Sequence, residues 1–351
     1  MKTVTVSASK EYDVVIDSGL LSQAGERIRS VAPKSEKAAV ISDDNVSTLY
    51  AKALDESLRA AGFETFNFVF PHGESSKNAA TYVDILNFLA ENQITRSDIV
   101  IALGGGVTGD ITGFAAATFL RGVPFVQIPT SLLAMVDSSV GGKTAIDLAA
   151  GKNLAGAFCQ PELVLCDLDT LSTLSAEFFT DGCAEVIKYG ILKDRQLFEH
   201  LSLHGQNFDR EYVISRCVEL KRDYVCEDEF DTGVRRMLNL GHTVGHTIEK
   251  CSAYSVSHGN AVAAGMAVIA RSCAKRGLCS EECAADIIKG ISSLGLPTET
   301  DFSLSELITP MLSDKKRSGS TISFIIPREI GRCEILPLAV DDIENFVSEG
   351  L

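Results

Sequence analysis

The chain has 351 residues, 45% of them hydrophobic and 23% charged, which bounds it as an ordinary globular protein with a large core and about two domains. A formal net charge of -15 argues against a nucleic-acid or anionic-membrane partner, so an anionic substrate would need cations gathered locally. Ten scattered cysteines, no signal peptide and no long apolar run place the chain among reduced, cytoplasmic proteins without a membrane span.

Residues 1–17 alternate apolar and polar in two short runs, as an edge ribbon does. A short apolar strand over 37–42 ends in Asp43, Asp44 and Asn45, a helical pattern covers 49–61, and a second strand covers 63–70. A turn at 71–77, carrying Glu74 and Lys77, precedes an amphipathic helix over 81–92 and a buried strand over 98–103. Strands alternating with helices in this way imply a parallel, Rossmann-like α/β sheet.

That buried strand runs into GGGVTGD at 104–110, with a helix over 111–118 behind it. Gly104, Gly106 and Gly109 satisfy the G-x-G-x-x-G spacing, which lets backbone approach a pyrophosphate at a helix N-terminus. Two features depart from the dinucleotide fingerprint. The motif comes late in the domain, and the next strand, FVQIPTS at 125–131, does not end in an acidic residue. The reading is nucleotide binding with the ribose held elsewhere, by Asp43, Asn45 or Glu74. The run DSSVGGKT at 137–144 fails the P-loop pattern, because Asp137 stands where the Walker glycine belongs. Its Lys143, and Lys152 in GKN at 151–153, put cations in glycine-rich turns beside the phosphate loop, where they read as anion ligands rather than solvated surface.

From about 175 to 312 the periodicity turns helical, so a domain boundary falls near 175–180. On the first of these helices Glu185 and Lys188 stand three apart, by default a surface pair. The helix is otherwise apolar, which leaves Glu185 free to point inward as an oxygen ligand. Helices over 261–274 and 282–294 are rich in small and apolar residues and should pack centrally. The basic run Lys315, Lys316 and Arg317 precedes a strand over 321–326 and by itself reads as solvated loop.

Three of the six histidines, His242, His246 and His258, fall in one short window. On a helix His242, His246 and Glu249 share a face, which is either a polar helix start or a metal site. A third histidine arriving after a short loop favours metal, since catalytic zinc sites use three protein ligands and keep one position open. Spacing alone pairs His242 with His246.

Taken together, GGGVTGD, RGVPFVQIPTSLLAMVDSSVGGKT at 121–144, GKNLAGAF at 151–158, AEVIKYG at 184–190, LNLGHTVGHTIE at 238–249 and DKK at 314–316 resemble the 3-dehydroquinate synthases. The resemblance runs through most of the chain in order. It implies an NAD-binding α/β domain over 1–177, a mostly helical metal- and substrate-binding domain over 178–351, a site in the cleft between them, and a homodimer. It implies Glu185, His242 and His258 as ligands of a zinc or cobalt ion, with His246 as the acid/base histidine instead. Asp137, Lys143, Asn153, Lys188, Lys221, Arg235, Asn239, Lys315 and Lys316 would complete the catalytic and substrate-binding set, and Arg121 would reach the partner subunit's phosphate site. NAD contacts would fall on Asp43, Asn45, Glu74, Lys77, Gly105, Gly106, Gly109, Asp110, Thr130, Ser131, Lys143, Lys152, Thr170 and Thr173. The activity implied is conversion of 3-deoxy-D-arabino-heptulosonate 7-phosphate to 3-dehydroquinate and phosphate through transient oxidation by NAD. A sibling sugar phosphate cyclase, or a metal- and NAD-dependent polyol dehydrogenase, would share much of this pattern. Two positions differ from the family: Ser131 replaces its usual threonine, and Asn260 replaces the glutamate of its usual His-Gly-Glu, which removes a carboxylate expected behind the metal ligand.

Overall fold

The computed structural model describes residues 1–313 and 321–351, so Lys315 and Lys316 lie outside the described residues. The chain divides into two compact units, with one later helical segment belonging to the first. The first comprises Met1–Ser175 and Arg210–Phe230, and the second Ala176–Asp209 and Asp231–Leu351.

In chain order the first unit contains β1 (Lys2–Ser7), β2 (Glu11–Asp17), α1 (Leu20–Val31), β3 (Lys37–Asp43), a single turn α2 (Asp44–Val46), α3 (Lys52–Ala60), β4 (Glu64–Phe70), α4 (Ala79–Glu91), β5 (Ile99–Gly104), α5 (Gly106–Thr118) and β6 (Phe125–Pro129). A hairpin of β7 (Lys143–Leu148) and β8 (Gly151–Phe158) follows, then β9 (Leu163–Asp167). Seven of the strands form one sheet in the order β1-β2-β9-β6-β5-β3-β4. All its pairings are parallel except β1 with β2. The parallel strands are apolar on both faces because helices cover both faces. Along β3, Ala38 and Val40 join the cluster containing Leu20, Ile28, Leu54 and Leu58 of α1 and α3. The intervening Ala39 and Ile41 join Ile85, Leu89, Ile111 and Ala115 of α4 and α5 on the other side.

The strand order explains the late glycine motif. From β3 the chain first adds β4 on one side, then crosses to place β5 on the other. Loops leaving the carboxyl ends of β3 and β5 therefore diverge at a topological switch point, where open α/β sheets bind ligands. Asp43 closes β3 and Gly104 closes β5, so the expected ribose and phosphate residues sit at adjacent strand ends.

The second unit is mostly helical: α6 (Ala176–Lys193), α7 (Arg195–His204), then, after α8 (Arg210–Glu227) has returned to the first unit, α9 (His242–Cys251), α10 (His258–Lys275), α11 (Glu281–Ser293) and α12 (Leu304–Ser313). A hairpin of β10 (Thr321–Glu329) and β11 (Arg332–Ala339) precedes α13 (Val340–Gly350). α6 and α10 are buried through most of their length, as their small-residue and apolar composition requires. No helix among the described residues is long and apolar enough to cross a membrane.

Asp98 shows how the sheet is pinned at the opposite, amino ends of its strands. Its buried carboxylate accepts from the N–H groups of Glu36, Lys37 and Thr95 at 3.2, 2.9 and 2.8 Å, and from the Thr95 hydroxyl at 2.7 Å. Burial opposes its charge, but these donors hold its pKa below the ordinary 3.8. A depressed native pKa adds stability that is complete above the unfolded value and lost as pH falls through the native one. Asp98→Asn should cost about 1–3 kcal/mol at neutral pH, and urea titrations should find that cost shrinking below about pH 4. A cost independent of pH down to 2 would contradict this account.

Candidate functional site

Burying a charged side chain is costly unless a partner compensates it. Among the described residues, the buried lysines and arginines are Lys77, Lys188, Lys221 and Arg235. Each is one the sequence singles out for ligand contact.

In the first unit, the Asp43 side chain accepts from the N–H groups of Asn45 and Val46 at 3.0 and 2.9 Å, and from the Thr108 hydroxyl at 3.4 Å. The glycine loop turns into α5 at Gly105, and no side chain caps this helix, so its N–H groups stay available to an anion. Gly109 lets α5 approach β6: a Cβ there would lie 2.6 Å from Gln127 Oε1. Lys77 Nζ donates to Asp110 Oδ2 and to Asn153 Oδ1, both at 2.6 Å. Burial opposes the ammonium, yet the carboxylates of Asp110, Glu74 and Asp147 hold its pKa above that of an ordinary lysine. Burial raises the pKa of Glu74. Asn153, at φ 56, is held in place by Asp147, whose Oδ1 accepts its N–H at 2.7 Å across the β7–β8 hairpin.

Thr130 is buried with its N–H on the Gly104 carbonyl at 3.0 Å, and the Ser131 hydroxyl accepts from Ala134 N–H at 3.3 Å. The Tyr50 hydroxyl donates to the Thr170 carbonyl at 3.1 Å and also bonds Thr173 Oγ1. Lys221, on α8, ion-pairs with Asp137, because α8 packs against the turn Ala134–Ser138. Lys143 is exposed at the start of β7 and Lys152 half-buried in β8. The glycine turns are present, with Gly141 and Gly142 at positive φ, and the lysines that follow them lie in the strands of a hairpin. Arg121 is exposed at φ 68, ending the turn Phe119–Arg121. It joins none of these groups by a hydrogen bond or ion pair among the described residues.

The second unit brings three helices to one point. Glu185 on α6 is wholly buried and ion-pairs through Oε2 with Lys188, one turn on and equally buried. Its other oxygen, Oε1, is buried without a hydrogen-bond partner. Two imidazoles face that oxygen: His242 Nε2 at 3.4 Å and His258 Nε2 at 3.5 Å. Ligand atoms on a tetrahedron with bonds of about 2.0–2.1 Å lie about 3.3–3.4 Å apart, so the three residues fit a zinc-sized dication. The remaining ring nitrogens are engaged, Nδ1 of His242 with the Leu240 carbonyl at 3.1 Å and Nδ1 of His258 with Glu249 Oε2 at 3.3 Å. These contacts orient Nε2 as a ligand, the usual arrangement behind a metal-bound histidine.

The electrostatics agree. Burial alone would neutralise Glu185, but the Lys188 ammonium and the two imidazoles hold its pKa well below the ordinary value. Burial lowers His242 to about 3, so it is the neutral base a metal requires. Burial also opposes a charge on His258, but Glu185 and Glu249 outweigh it and raise its pKa to about 10. Two buried carboxylates thus demand positive charge at the place where the imidazoles converge.

His246 is more exposed, with its ring centroid 5.3 Å from that of His242 and 6.1 Å from that of His258. The spacing argument that paired His242 with His246 therefore yields to a set in which His258 is the second nitrogen donor facing Glu185. His246 does belong to a second possible group, with Glu249 and His258. It also lines, with His242, Asn239, Arg236 and Lys250, a cavity of about 270 Å³.

Sequence reasoning missed three roles. Spacing places Glu249 only on the histidines' helix face, yet it supplies a carboxylate behind His258, the group expected from the residue at 260. Arg236 and Lys250 add cations to the cavity, and helical spacing from His246 could have found Lys250. Asp181, four residues before Glu185, carries no motif that marks it.

Two adjoining family models match the chain, 3-dehydroquinate synthase N-terminal over residues 67–181 and 3-dehydroquinate synthase C-terminal over residues 182–317. A 3-dehydroquinate synthase of Streptococcus suis is 43% identical over 354 residues, covering 99% of each chain. A solved 2-epi-5-epi-valiolone synthase from Streptomyces hygroscopicus subsp. jinggangensis, with NAD+ and Zn2+ bound, matches at TM-score 0.87 and 27% identity over 98% of each chain. A 2-deoxy-scyllo-inosose synthase complexed with carbaglucose-6-phosphate, NAD+ and Co2+ shares the fold at TM-score 0.89 and 23% identity over 100% of both chains.

The geometry at His258 makes one expectation sharp. Glu249→Ala should weaken Zn2+ or Co2+ binding about ten- to a hundredfold, read by competition with a chromophoric chelator. Wild-type affinity in that variant would remove Glu249 from the site.

Proposed function

Because the chain belongs to the 3-dehydroquinate synthase family, we propose that it converts 3-deoxy-D-arabino-heptulosonate 7-phosphate into 3-dehydroquinate and phosphate, a lyase step of the shikimate route to aromatic amino acids. The observation that carries this reading is the buried, unpartnered Oε1 of Glu185 facing two Nε2 atoms. The cofactors are NAD and one divalent metal, zinc or cobalt, as in the two cyclases of the same fold.

In this reading the labour divides between the units. In the first, the α5 N-terminus takes the pyrophosphate, with Gly105, Gly106 and Gly109 allowing the approach. Asp43, Asn45, Glu74, Lys77, Asp110, Thr130, Ser131, Lys152, Thr170 and Thr173 hold the rest of the dinucleotide. In the second, Glu185, His242 and His258 hold the dication. When bound, the metal supplies Lewis acidity to the substrate's vicinal oxygens and NAD a hydride acceptor that is regenerated within one turnover.

The protein's own groups do the remainder. Lys188 keeps Glu185 ionised. His246, exposed beside the ligands, takes and returns a proton of the substrate. The developing ketone acidifies the neighbouring C–H, and the departing phosphate's own oxygen receives that proton. Lys143, Lys221, Arg235, Asn153, Asn239 and the Lys315/Lys316 pair grip carboxylate and phosphate, while Asp137 fixes Lys221. Holding the enol and carbonyl together then favours the aldol closure. In this reading the enzyme is a cytoplasmic homodimer, and the exposed Arg121 of one protomer reaches the phosphate site of its partner.

The decisive assay follows phosphate and NADH together. With the proposed substrate, phosphate should appear without net NADH. Net NADH without phosphate would make the protein a polyol dehydrogenase, and phosphate release from another sugar phosphate alone would make it a sibling cyclase. His242→Ala should lose bound metal together with at least about a hundredfold of its activity. His246→Ala should keep the metal and lose about 10²–10⁴-fold in turnover. Loss of the metal on replacing His246 would return that residue to the ligand set.

A further inference from the structure

A helix start leaves N–H groups with no partner inside the helix, and the residue before it usually accepts from them. At the start of α10 that residue is Ser257, which makes no such bond. Its hydroxyl is buried without a hydrogen-bond partner. The acceptor comes from another helix instead. Oδ1 of Asp181 takes the N–H of Gly259 at 2.7 Å and that of Asn260 at 3.2 Å. Asp181 is itself buried, and it stands one turn before Glu185 on the same face of α6. The two helices touch here: a Cβ on Gly259 would lie 2.0 Å from the Asp181 carbonyl oxygen, so only glycine allows the approach.

We infer that Asp181 is a positioning residue for metal binding, which caps α10 from α6 and so fixes His258 opposite Glu185. The first residue of α10 is His258 itself. A rotation or slide of α10 against α6 would carry His258 Nε2 away from Glu185 Oε1, and the capping bonds resist both motions. They act on the backbone of residues 259 and 260, so the side chain at 260 is not what the contact needs. The carboxylate also lies where a helix N-terminus favours negative charge. This inference rests on Glu185, His242 and His258 being the ligand set.

The test is Co2+ affinity of the full-length protein, measured by chelator competition, with metal-free melting recorded alongside. Asp181→Ala should raise the Co2+ dissociation constant about ten- to a hundredfold. Asp181→Asn keeps the accepting oxygen and should stay within about threefold of wild type, a rescue that a merely structural role for the charge would not produce. Ser257→Ala should leave affinity unchanged. Should Asp181→Ala fail to fold, Asp181→Glu carries the same test: it keeps the charge, displaces the acceptor by a methylene, and should bind more weakly than Asp181→Asn.

Wild-type Co2+ binding by Asp181→Ala, or equal losses in the Ala and Asn variants, would overturn the inference. So would a loss in Ser257→Ala as large as that in Asp181→Ala. His242→Ala separates the two levels. If it fails to bind Co2+ while Asp181→Ala binds normally, the positioning role alone is wrong; if it binds normally, the ligand set is wrong.

Discussion

A carboxylate sealed from water inside an apolar helix is the constraint from which the second unit follows. Glu185 is wholly buried, and an isolated charge there would cost several kcal/mol. One oxygen is answered within the helix by Lys188. The other is answered from outside, which requires α9 and α10 to arrive with their imidazoles at the same point. α10 meets α6 closely because Gly259 faces Asp181, and α9 meets α10 closely because Gly245 and Gly265 lie between them. Packing and charge thus impose the same geometry, and that geometry has the dimensions of a metal site.

The first unit solves a related problem with opposite sign. In a chain with net charge -15 the buried cations are held by the protein's own groups: Lys77 on Asp110 and Asn153, and Lys221 on Asp137. A buried, pinned ammonium loses less entropy on meeting a phosphate than a mobile surface lysine, and water screens it less. Overall charge therefore says little about the ligand, whereas the set of buried cations says a great deal.

How much of this was legible in the sequence depends on whether the cause was local. Alternating apolar strands and amphipathic helices foretold the parallel sheet, and the glycine run foretold a strand-to-helix turn, because both signals lie within a dozen residues. Strand order does not: that the motif serves a switch point between β3 and β5 is set by the crossover, which no local pattern encodes. The glycine turns at 141–142 and 151 are legible, but the β7–β8 pairing that follows them is not, because its lysines and glycines mask the alternation. The return of α8 to the first unit was invisible, since its partners are β1, β2 and the turn at Ala134–Ser138. At the metal centre, spacing of four made His242 and His246 equivalent. What sets them apart in the structure is the face α9 turns toward α6, which brings His242 Nε2 to 3.4 Å from Glu185 Oε1.

The departure at Asn260 shows why a sequence difference at a site need not be a chemical one. Read alone, the loss of a carboxylate two residues from a ligand looks like a weakened metal centre. In the structure the carboxylate behind His258 is Glu249, reaching across from α9, and residue 260 contributes a backbone N–H to Asp181. Any residue supplies that group except proline. The stringent positions lie beside it instead: Gly259, where no Cβ fits, and Asp181, whose acceptor has no substitute on Ser257. One contact between α6 and α10 thus uses the backbone at 260, the missing Cβ at 259 and the side chain at 181.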